Sequence, residues 1–431
     1  MKMRRRLLFI LLTVLYLGPL SAQDTLNLTL EDAQLQALEQ NRTLKNATLD
    51  VRVAEASRWQ TLATMLPQVS ATADYSNMFD YQMDLGDFKI SMPNSLTMGV
   101  TVSVALSGAQ VIGVQLKDIA KRMSDITLLQ TEKDVTDQVK KLYYSALVLD
   151  ETIGLLEENL SNLEKLLYYT NQSINVGVLV QTDADLISVR IASMKTSISA
   201  NKRSLEMIYN SLRLQLGLDV NTEIRLVENL DDLMRIDKAT SLLDVNFVLD
   251  NNYSYQLLNE SLNLSKKQVS LKKWAFAPTL SAYYQYSEKE YFSDEATLNS
   301  TPPNLLGVTL TVPVFSSFSR VKAVQEAKFG YQKQLNTFDE TRESLIIQHR
   351  QLVYNLSSAY ESFETQKENM VVVQRVFDDI SRKYEQGMAA SIDVTNAGTD
   401  LTTAQSAYVQ ALLDVVNAQI ELENLLNINN N

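Results

Sequence analysis

The run Leu142-Tyr143-Tyr144-Ser145-Ala146-Leu147-Val148-Leu149-Asp150-Glu151-Thr152-Ile153 lies in the middle of the stretch, about Gln110 to Val176, that decides the fold. Apolar residues recur through it at seven-residue spacing. One row is Leu128, Val135, Leu142, Leu149, Leu156 and Leu163. A second row, four positions on, is Val139, Ala146, Ile153, Leu160 and Leu167. Alternating steps of four and three make the apolar seam of a coiled-coil helix. No proline interrupts the stretch, and Gly113 and Gly154 are its only glycines before the turn at Gly177. One helix of roughly 67 residues would be about 100 Å long at 1.5 Å per residue. An ordinary globular helix has about 11–12 residues.

The chain opens Met1-Lys2-Met3-Arg4-Arg5-Arg6, continues with an apolar run from Leu7 to Leu17, and reaches Gly18-Pro19-Leu20-Ser21-Ala22. A basic start, a short apolar core and a small-residue site predict a signal peptide over 1–22. The apolar run is short for a membrane anchor. The formal charge of −12 includes four cations of that segment, so the exported chain would carry about −16. There is no cysteine and only one histidine, His349. Disulfides, thiolate metal sites, His-pair metal sites and His-based triads within one chain are thereby excluded, and no cofactor is expected. The acidic balance argues against nucleic acid as a partner. Beyond the signal no apolar run is long enough for a transmembrane helix, so any membrane passage must use strands.

In chain order, residues from Asp24 to about Leu66 read as helical, with an entry at Leu28-Thr29-Leu30-Glu31-Asp32-Ala33 and a stop at Pro67. The period then becomes two. Val69, Ala71, Ala73 and Tyr75 alternate with polar residues, and so do Val100, Val102, Val104 and Leu106. This predicts a β-hairpin over about 67–107. It suits either a transmembrane pair or a soluble amphipathic one. A long helix over about 110–176, a turn at Gly177 and a return helix over about 183–216 follow. Gly217 is placed as its stop, and a connector over 219–240 reads as irregular.

The same order recurs about 210 residues later. A helical segment Leu242–Phe276 ends at Pro278, with Asn252 opposite Asn41. Gly307-Val308-Thr309-Leu310-Thr311-Val312 matches Gly99-Val100-Thr101-Val102-Ser103-Val104 within a hairpin over about 278–315. A second long helix is expected over about 319–386, a return helix over about 393–426, and a frayed tail over Asn427–Asn431. The chain therefore divides into a first repeat, 23–218, and a second, 241–431, an internal duplication. Its class is mixed α+β. Four strands per chain cannot close in a bilayer, where every backbone polar group needs a partner. Two chains would supply eight strands and three would supply twelve.

Leu28-Thr29-Leu30-Glu31-Asp32-Ala33…Asn41, Leu66-Pro67-Gln68-Val69-Ser70 and Val312-Pro313-Val314-Phe315 resemble the TolC family of outer-membrane efflux proteins. So do Gly177-x5-Asp183 and Tyr384-x2-Gly387-x5-Asp393. The resemblance implies a homotrimer with a twelve-stranded barrel in outer-membrane lipid and an α-helical tunnel in the periplasm. It also implies a periplasmic adaptor protein and an inner-membrane transporter as partners, and an exit duct for efflux or type I secretion rather than an enzyme. The rival reading is an exported coiled-coil scaffold or adhesion protein without a channel.

The resemblance also assigns candidate sites. Gly177, Gly387 and Tyr384 belong to the turns that would dock the adaptor. Asp183 and Asp393 would line the channel constriction, and Asn396 stands where some relatives carry a second acid. Their plainer role is at the start of the return helices, where a carboxylate complements the helix dipole. Met388-Ala389-Ala390 offers no arginine to tie the turn closed. His349 reads as a packed seam histidine or a pH sensor. Tyr75, Tyr81, Tyr283, Tyr284, Tyr286, Tyr291 and Phe292 read as an aromatic girdle, and Asp80, Asp84, Asp87, Glu288, Glu290, Asp294 and Glu295 as solvated loop acids.

Overall fold

A computed structural model describes residues 26–79, 81–84, 86, 89–91, 93–229, 240–292 and 302–428. The predicted signal peptide, Asp80, Asp87, Asp294, Glu295 and the tail beyond 428 lie outside them. In order the elements are β1 (Leu26–Leu28), α1 (Leu30–Gln40), α2 (Arg42–Ala63), β2 (Gln68–Ser76), β3 (Gln82–Asp84), β4 (Lys89–Ser91), β5 (Ser95–Leu106), α3 (Gly108–Asn175), α4 (Gln181–Leu216) and β6 (Ile224–Leu226). Two 3-10 turns follow, Leu242–Asp244 and Leu249–Asn251. Then come α5 (Tyr253–Trp274), β7 (Thr279–Tyr291), β8 (Asn304–Thr311), α6 (Ser319–Glu385) and α7 (Ser391–Leu426). The chain forms two compact units. One takes the chain up to Asn46, Gln130–Asn252 and Leu345 onward; the other takes Ala47–Leu129 and Tyr253–Ser344.

The second unit holds a four-stranded antiparallel sheet in the order β2-β5-β7-β8 and a short antiparallel pair, β3 with β4. Its register explains the alternation in the sequence. Val69 pairs with Val102, which pairs with Tyr284, which pairs with Leu306. Ala71, Val100 and Tyr286 form the next row, and Val104, Ala282 and Val308 another. Since side chains alternate between faces, every one of these lies on a single face. Ser70, Thr72, Thr101, Ser103, Gln285 and Thr309 share the other. Gly307 sits opposite Tyr283, whose ring occupies the space a Cβ would need, 2.4 Å away.

The first unit is mainly helical and also holds the short parallel pair β1–β6. α3 spans 68 residues and α6 spans 67. Val135, Val139, Ala146, Ile153 and Leu156 of the α3 seam are buried, and so are Leu345, Leu352, Leu356 and Phe363 of α6. Near its middle α3 buries more than a seam: Tyr143, Tyr144, Leu147 and Val148 are covered as well. The Tyr143 hydroxyl lies 3.0 Å from the Leu28 carbonyl and 2.9 Å from Glu228 Oε2, which also accepts the Leu30 N–H at 2.6 Å. Glu228 thus caps the start of α1 while Tyr143 holds β1 against α3.

Several expectations need correction. The chain before Leu30 is not helical: Leu26–Leu28 pairs in parallel with Ile224–Leu226. The connector expected to be irregular therefore contributes a strand. Helix breaks after Gln40, where buried Asn41 accepts from the Thr43 and Leu44 N–H groups at 2.8 and 3.2 Å and donates to the Gln215 carbonyl at 2.9 Å. That is an N-cap inside what the periodicity read as one helix. Residues 242–251 are 3-10 turns and extended chain, and α5 starts only after buried Asn252, which donates to the Leu425 carbonyl at 3.0 Å. Glu288 and Glu290 lie within β7 opposite Met98 and Leu96, and Asp84 lies within β3, so none of them is a loop acid. Tyr283 and Tyr291 face away from Tyr284 and Tyr286. Asn427 is an ordered left-handed cap rather than frayed chain.

Candidate functional site

The helical unit carries two turns 210 residues apart, built alike. Gly177 has φ +79° and Gly387 φ +73°. The Gly177 N–H donates to the Ile174 carbonyl and the Val178 N–H to the Ser173 carbonyl, both at 2.9 Å. The Gly387 N–H donates to Tyr384 O at 2.9 Å and the Met388 N–H to Lys383 O at 2.7 Å. These are left-handed C-terminal caps that satisfy the last carbonyls of α3 and α6. A Cβ at either glycine would meet no atom within 4 Å, so each glycine answers to backbone angle and not to crowding.

Each return helix then starts the same way. Asp183 Oδ2 accepts the Val180 N–H at 3.3 Å, and Asp393 Oδ2 accepts the Ala390 N–H at 3.0 Å. Both carboxylates sit in the first helical turn, where the dipole favours them. They differ in their free oxygens. Asp183 Oδ1 accepts the Ser391 hydroxyl at 2.5 Å, which ties the start of α4 to the start of α7. Asp393 and Asn396 are exposed. Asp183 thus reaches a residue two positions before Asp393, while the hydrogen bonds of the two carboxylates go to different partners.

Tyr384 is tied back to the long helix of the other half. Its hydroxyl lies 2.6 Å from Thr170 Oγ1, and since Thr170 donates to the Leu166 carbonyl, Tyr384 is the donor. Thr170 is fully buried and occupies the next position of the row that ends at Leu163. A polar residue in an apolar row was the legible signal of this bond, and the periodic reading passed over it. Ser391 offered no such signal.

A cavity of about 340 Å³ lies in the same unit, floored by Leu156, Leu163, Met194 and Phe377. On α7 it is lined by Thr395, Thr399, Thr402, Thr403 and Ser406. Each of these hydroxyls donates to the carbonyl four residues earlier, at 2.8–2.9 Å. The donors are spent on their own helix, a pattern that lets helices bend.

The sheet is the other candidate site. Its apolar face is open: Leu306 is 73% exposed, Val69 69% and Val308 68%. Tyr75 and Phe292 approach at 6.3 Å between ring centroids. Exposed Trp274, Phe276, Phe315 and Phe318 lie where α5 and α6 join the strands, a second set of aromatics that the alternation did not reveal. Among the described residues no helix is long and apolar enough to cross a membrane, and no group of three His, Cys, Asp or Glu could hold a metal ion.

Two long helices joined near their turns by Thr170 and Tyr384, paired glycine turns and a four-stranded sheet with one bare apolar face are parts that suit a membrane channel subunit rather than a globular binding domain. The sequence model described as outer membrane efflux protein matches residues 35–218 and again 245–427, and the chain belongs to that family. It is similar to the outer membrane efflux protein BepC of Brucella suis, 21% identical over 417 residues, covering 94% of this chain and 86% of BepC. It is also similar to the outer membrane protein TolC of Salmonella enteritidis, 20% identical over 387 residues, covering 87% of this chain and 77% of TolC. The CmeC outer membrane channel of Campylobacter jejuni superposes with a TM-score of 0.77 at 15% identity, over 92% of this chain and 85% of CmeC.

Proposed function

We infer that the protein is the outer-membrane exit duct of a tripartite efflux or secretion system, passing substrates from an inner-membrane transporter and a periplasmic adaptor to the outside. One observation carries this reading: the strand register collects most of the apolar residues of the four strands on one exposed face. Lipid is the solvent that rewards such a face, and lipid forbids the open edges of β2 and β8. Three chains edge to edge supply twelve strands, a homotrimeric barrel whose subunits arose by duplication of one helix–hairpin–helix–helix repeat, 23–218 and 241–431. The chain reaches that membrane by a signal peptide over 1–22. The helices form the periplasmic tunnel. Gly177, Gly387 and Tyr384 set the turns that meet the adaptor, and Asp183, Asp393 and Asn396 line the constriction. The duct performs no chemistry; transport is driven by its partners.

The chain has no cysteine, so introduced pairs report cleanly. Ser70→Cys, Thr72→Cys or Asp74→Cys on β2, each combined with Thr309→Cys on β8, is expected to give a covalently closed trimer on a denaturing gel after oxidation. Covalent dimers as the end product would mean an eight-stranded barrel. A monomer that stays soluble without detergent would support the scaffold reading instead. For the constriction, Asp393→Asn and Asp183→Asn are expected to lower cation preference in planar bilayers, and unchanged selectivity rejects that role.

A further inference from the structure

The helix ends next to the sheet differ in charge between the two halves. Residues 270–278 and 312–328 carry Lys272, Lys273, Arg320, Lys322 and Lys328 against one acid, Glu326. The positions 210 residues earlier, 60–68 and 102–118, carry one cation and one acid, Lys117 and Asp118. This basic cluster stands in a chain of net charge −12. Some cations elsewhere are ion-paired within the chain, as in Lys140–Glu423 at 2.7 Å, Lys202–Glu157 at 2.7 Å and Lys195–Glu164 at 2.8 Å. Among the described residues none of the five clustered cations lies within ion-pair distance of a carboxylate.

The helix dipole explains only part of the cluster. Lys272 and Lys273 lie in the last turn of α5, where cations are favourable. Arg320 and Lys322 lie at the start of α6, which has no acid in its first turn, and there the dipole opposes them. An external anion would offset that cost. The Arg320 guanidinium packs 5.5 Å from the Phe276 ring centroid and donates to the Pro313 carbonyl at 2.8 Å, so it is held at the joint between helix and strand. Around it Trp274, Phe276, Phe315 and Phe318 are exposed, and Val314 is 92% exposed. Aromatic rings beside cations at the end of an apolar band match the headgroup level of a bilayer.

We propose that this basic–aromatic joint binds anionic phospholipid headgroups of the leaflet on the helix side of the barrel, so that each chain holds one patch of acidic lipid. The proposal rests on the membrane-inserted sheet of the proposed function. The patch comes from the second half alone, so lipid sites would alternate with neutral joints around the assembled barrel. Binding uses phosphodiester charge and interfacial apolar contact together, with no covalent step.

The test uses the full-length protein in detergent, equilibrated with equal amounts of phosphatidylcholine and phosphatidylglycerol and repurified, with retained lipid identified by mass spectrometry. The wild type is expected to retain phosphatidylglycerol several-fold over phosphatidylcholine, with the ratio falling as NaCl is raised. A variant with Lys272→Gln, Lys273→Gln, Lys322→Gln and Lys328→Gln is expected to lose that preference. The pair Lys272→Gln and Lys273→Gln alone should lose part of it, which serves if the fourfold variant folds poorly. Lys195→Gln with Lys202→Gln should keep it in full. Equal retention of both lipids by the wild type, or an unchanged preference in the variants, overturns the proposal while leaving the barrel intact. Orthophosphate that displaces the lipid better than chloride at matched ionic strength overturns it in favour of a free-anion site. Failure to associate with either lipid overturns the barrel reading and this proposal together.

Discussion

The return helices α4 and α7 have the same length, 36 residues, and end at corresponding positions in different chemistry. α4 stops at Gly217, with φ +66°, and α7 stops at Asn427, with φ +53°. A Cβ at Gly217 would come 2.8 Å from the Gln40 carbonyl oxygen, whereas the Asn427 side chain donates to the Asn251 carbonyl at 2.9 Å. Four residues earlier the buried charges have opposite signs. Arg213 donates to the Thr222 carbonyl at 2.6 Å and to Glu206 at 2.7 Å. Glu423 accepts from Lys140 and from Gln419, each at 2.7 Å. The two helix ends thus share a left-handed cap and a buried charged residue, while the partner of each buried polar group is chosen locally.

The largest way to break this comparison is to remove one buried charge. Glu423→Ala leaves Lys140, whose side chain is only 13% exposed, without its counter-ion. Breaking such a pair from one side costs about 3–5 kcal/mol, because the remaining charge stays desolvated. The loss is read as an earlier collapse of helical circular dichroism on heating in detergent. Removing both partners with Lys140→Met and Glu423→Leu is expected to recover most of it. If the double variant melts as early as Glu423→Ala, desolvation is not the cause.

Exchanging the two caps comes next in size. Asparagine tolerates the left-handed region, so Gly217→Asn tests crowding rather than backbone angle. Its Cβ would press on Gln40 O, and overpacking of that kind costs about 1–3 kcal/mol. The reciprocal Asn427→Gly loses one side-chain bond and keeps a favourable cap, so its cost stays below about 1 kcal/mol. Equal melting shifts for the two exchanges would show that both ends tolerate a side chain alike.

How much of this was legible follows from what each residue type signals. The long helices, the glycine turns and the alternating strands rest on periodicity and on glycine, which act through the backbone, and these are visible in one chain's sequence. The cap at Asn41 is harder to see, since asparagine in a helical run reads as a tolerated polar residue until Gln215 is known to lie beside it. The strand Leu26–Leu28 is invisible locally, because three residues gain their pairing from a segment about 200 residues away. Of the candidate site, the paired glycines and aspartates could be found by their 210-residue spacing. The Ser391–Asp183 and Thr170–Tyr384 bonds could not, since they depend on how four helices are apposed. Glu288 and Glu290 misled because acids are rare in strands, yet here the strand outruns the apolar band.

A smaller effect sharpens the likeness of the two turns. Gly177→Ala and Gly387→Ala each place a Cβ in open space at positive φ, so only the left-handed penalty applies, about 1 kcal/mol in both. The same melting experiment should give two nearly equal shifts, each smaller than that of Gly217→Asn. A large shift at one turn alone would mean that the glycine has a contact made only in the assembled channel.

The smallest effect concerns His349, which stands 210 residues from fully buried Val139. Its ring stacks on Phe247, 5.1 Å between centroids and 13° from parallel, and its Nε2 is buried without a hydrogen-bond partner. Burial, with the neighbouring positive charge of Arg350, holds its pKa below the usual 6.5. The folded chain therefore prefers the neutral ring, and the unfolded chain binds the proton more readily. The resulting stability is fully present above about pH 6.5. It is lost as pH falls from there toward the lower folded value. His349→Val, which installs the residue of the other half, removes the titration and keeps the apolar contact with Phe247. The variant's melting temperature is expected to match the wild type at pH 7.5 and to exceed it modestly at pH 5.5. If the two curves stay parallel across that range, the ring titrates alike in the folded and unfolded chains, and the stacking on Phe247 shields it from nothing.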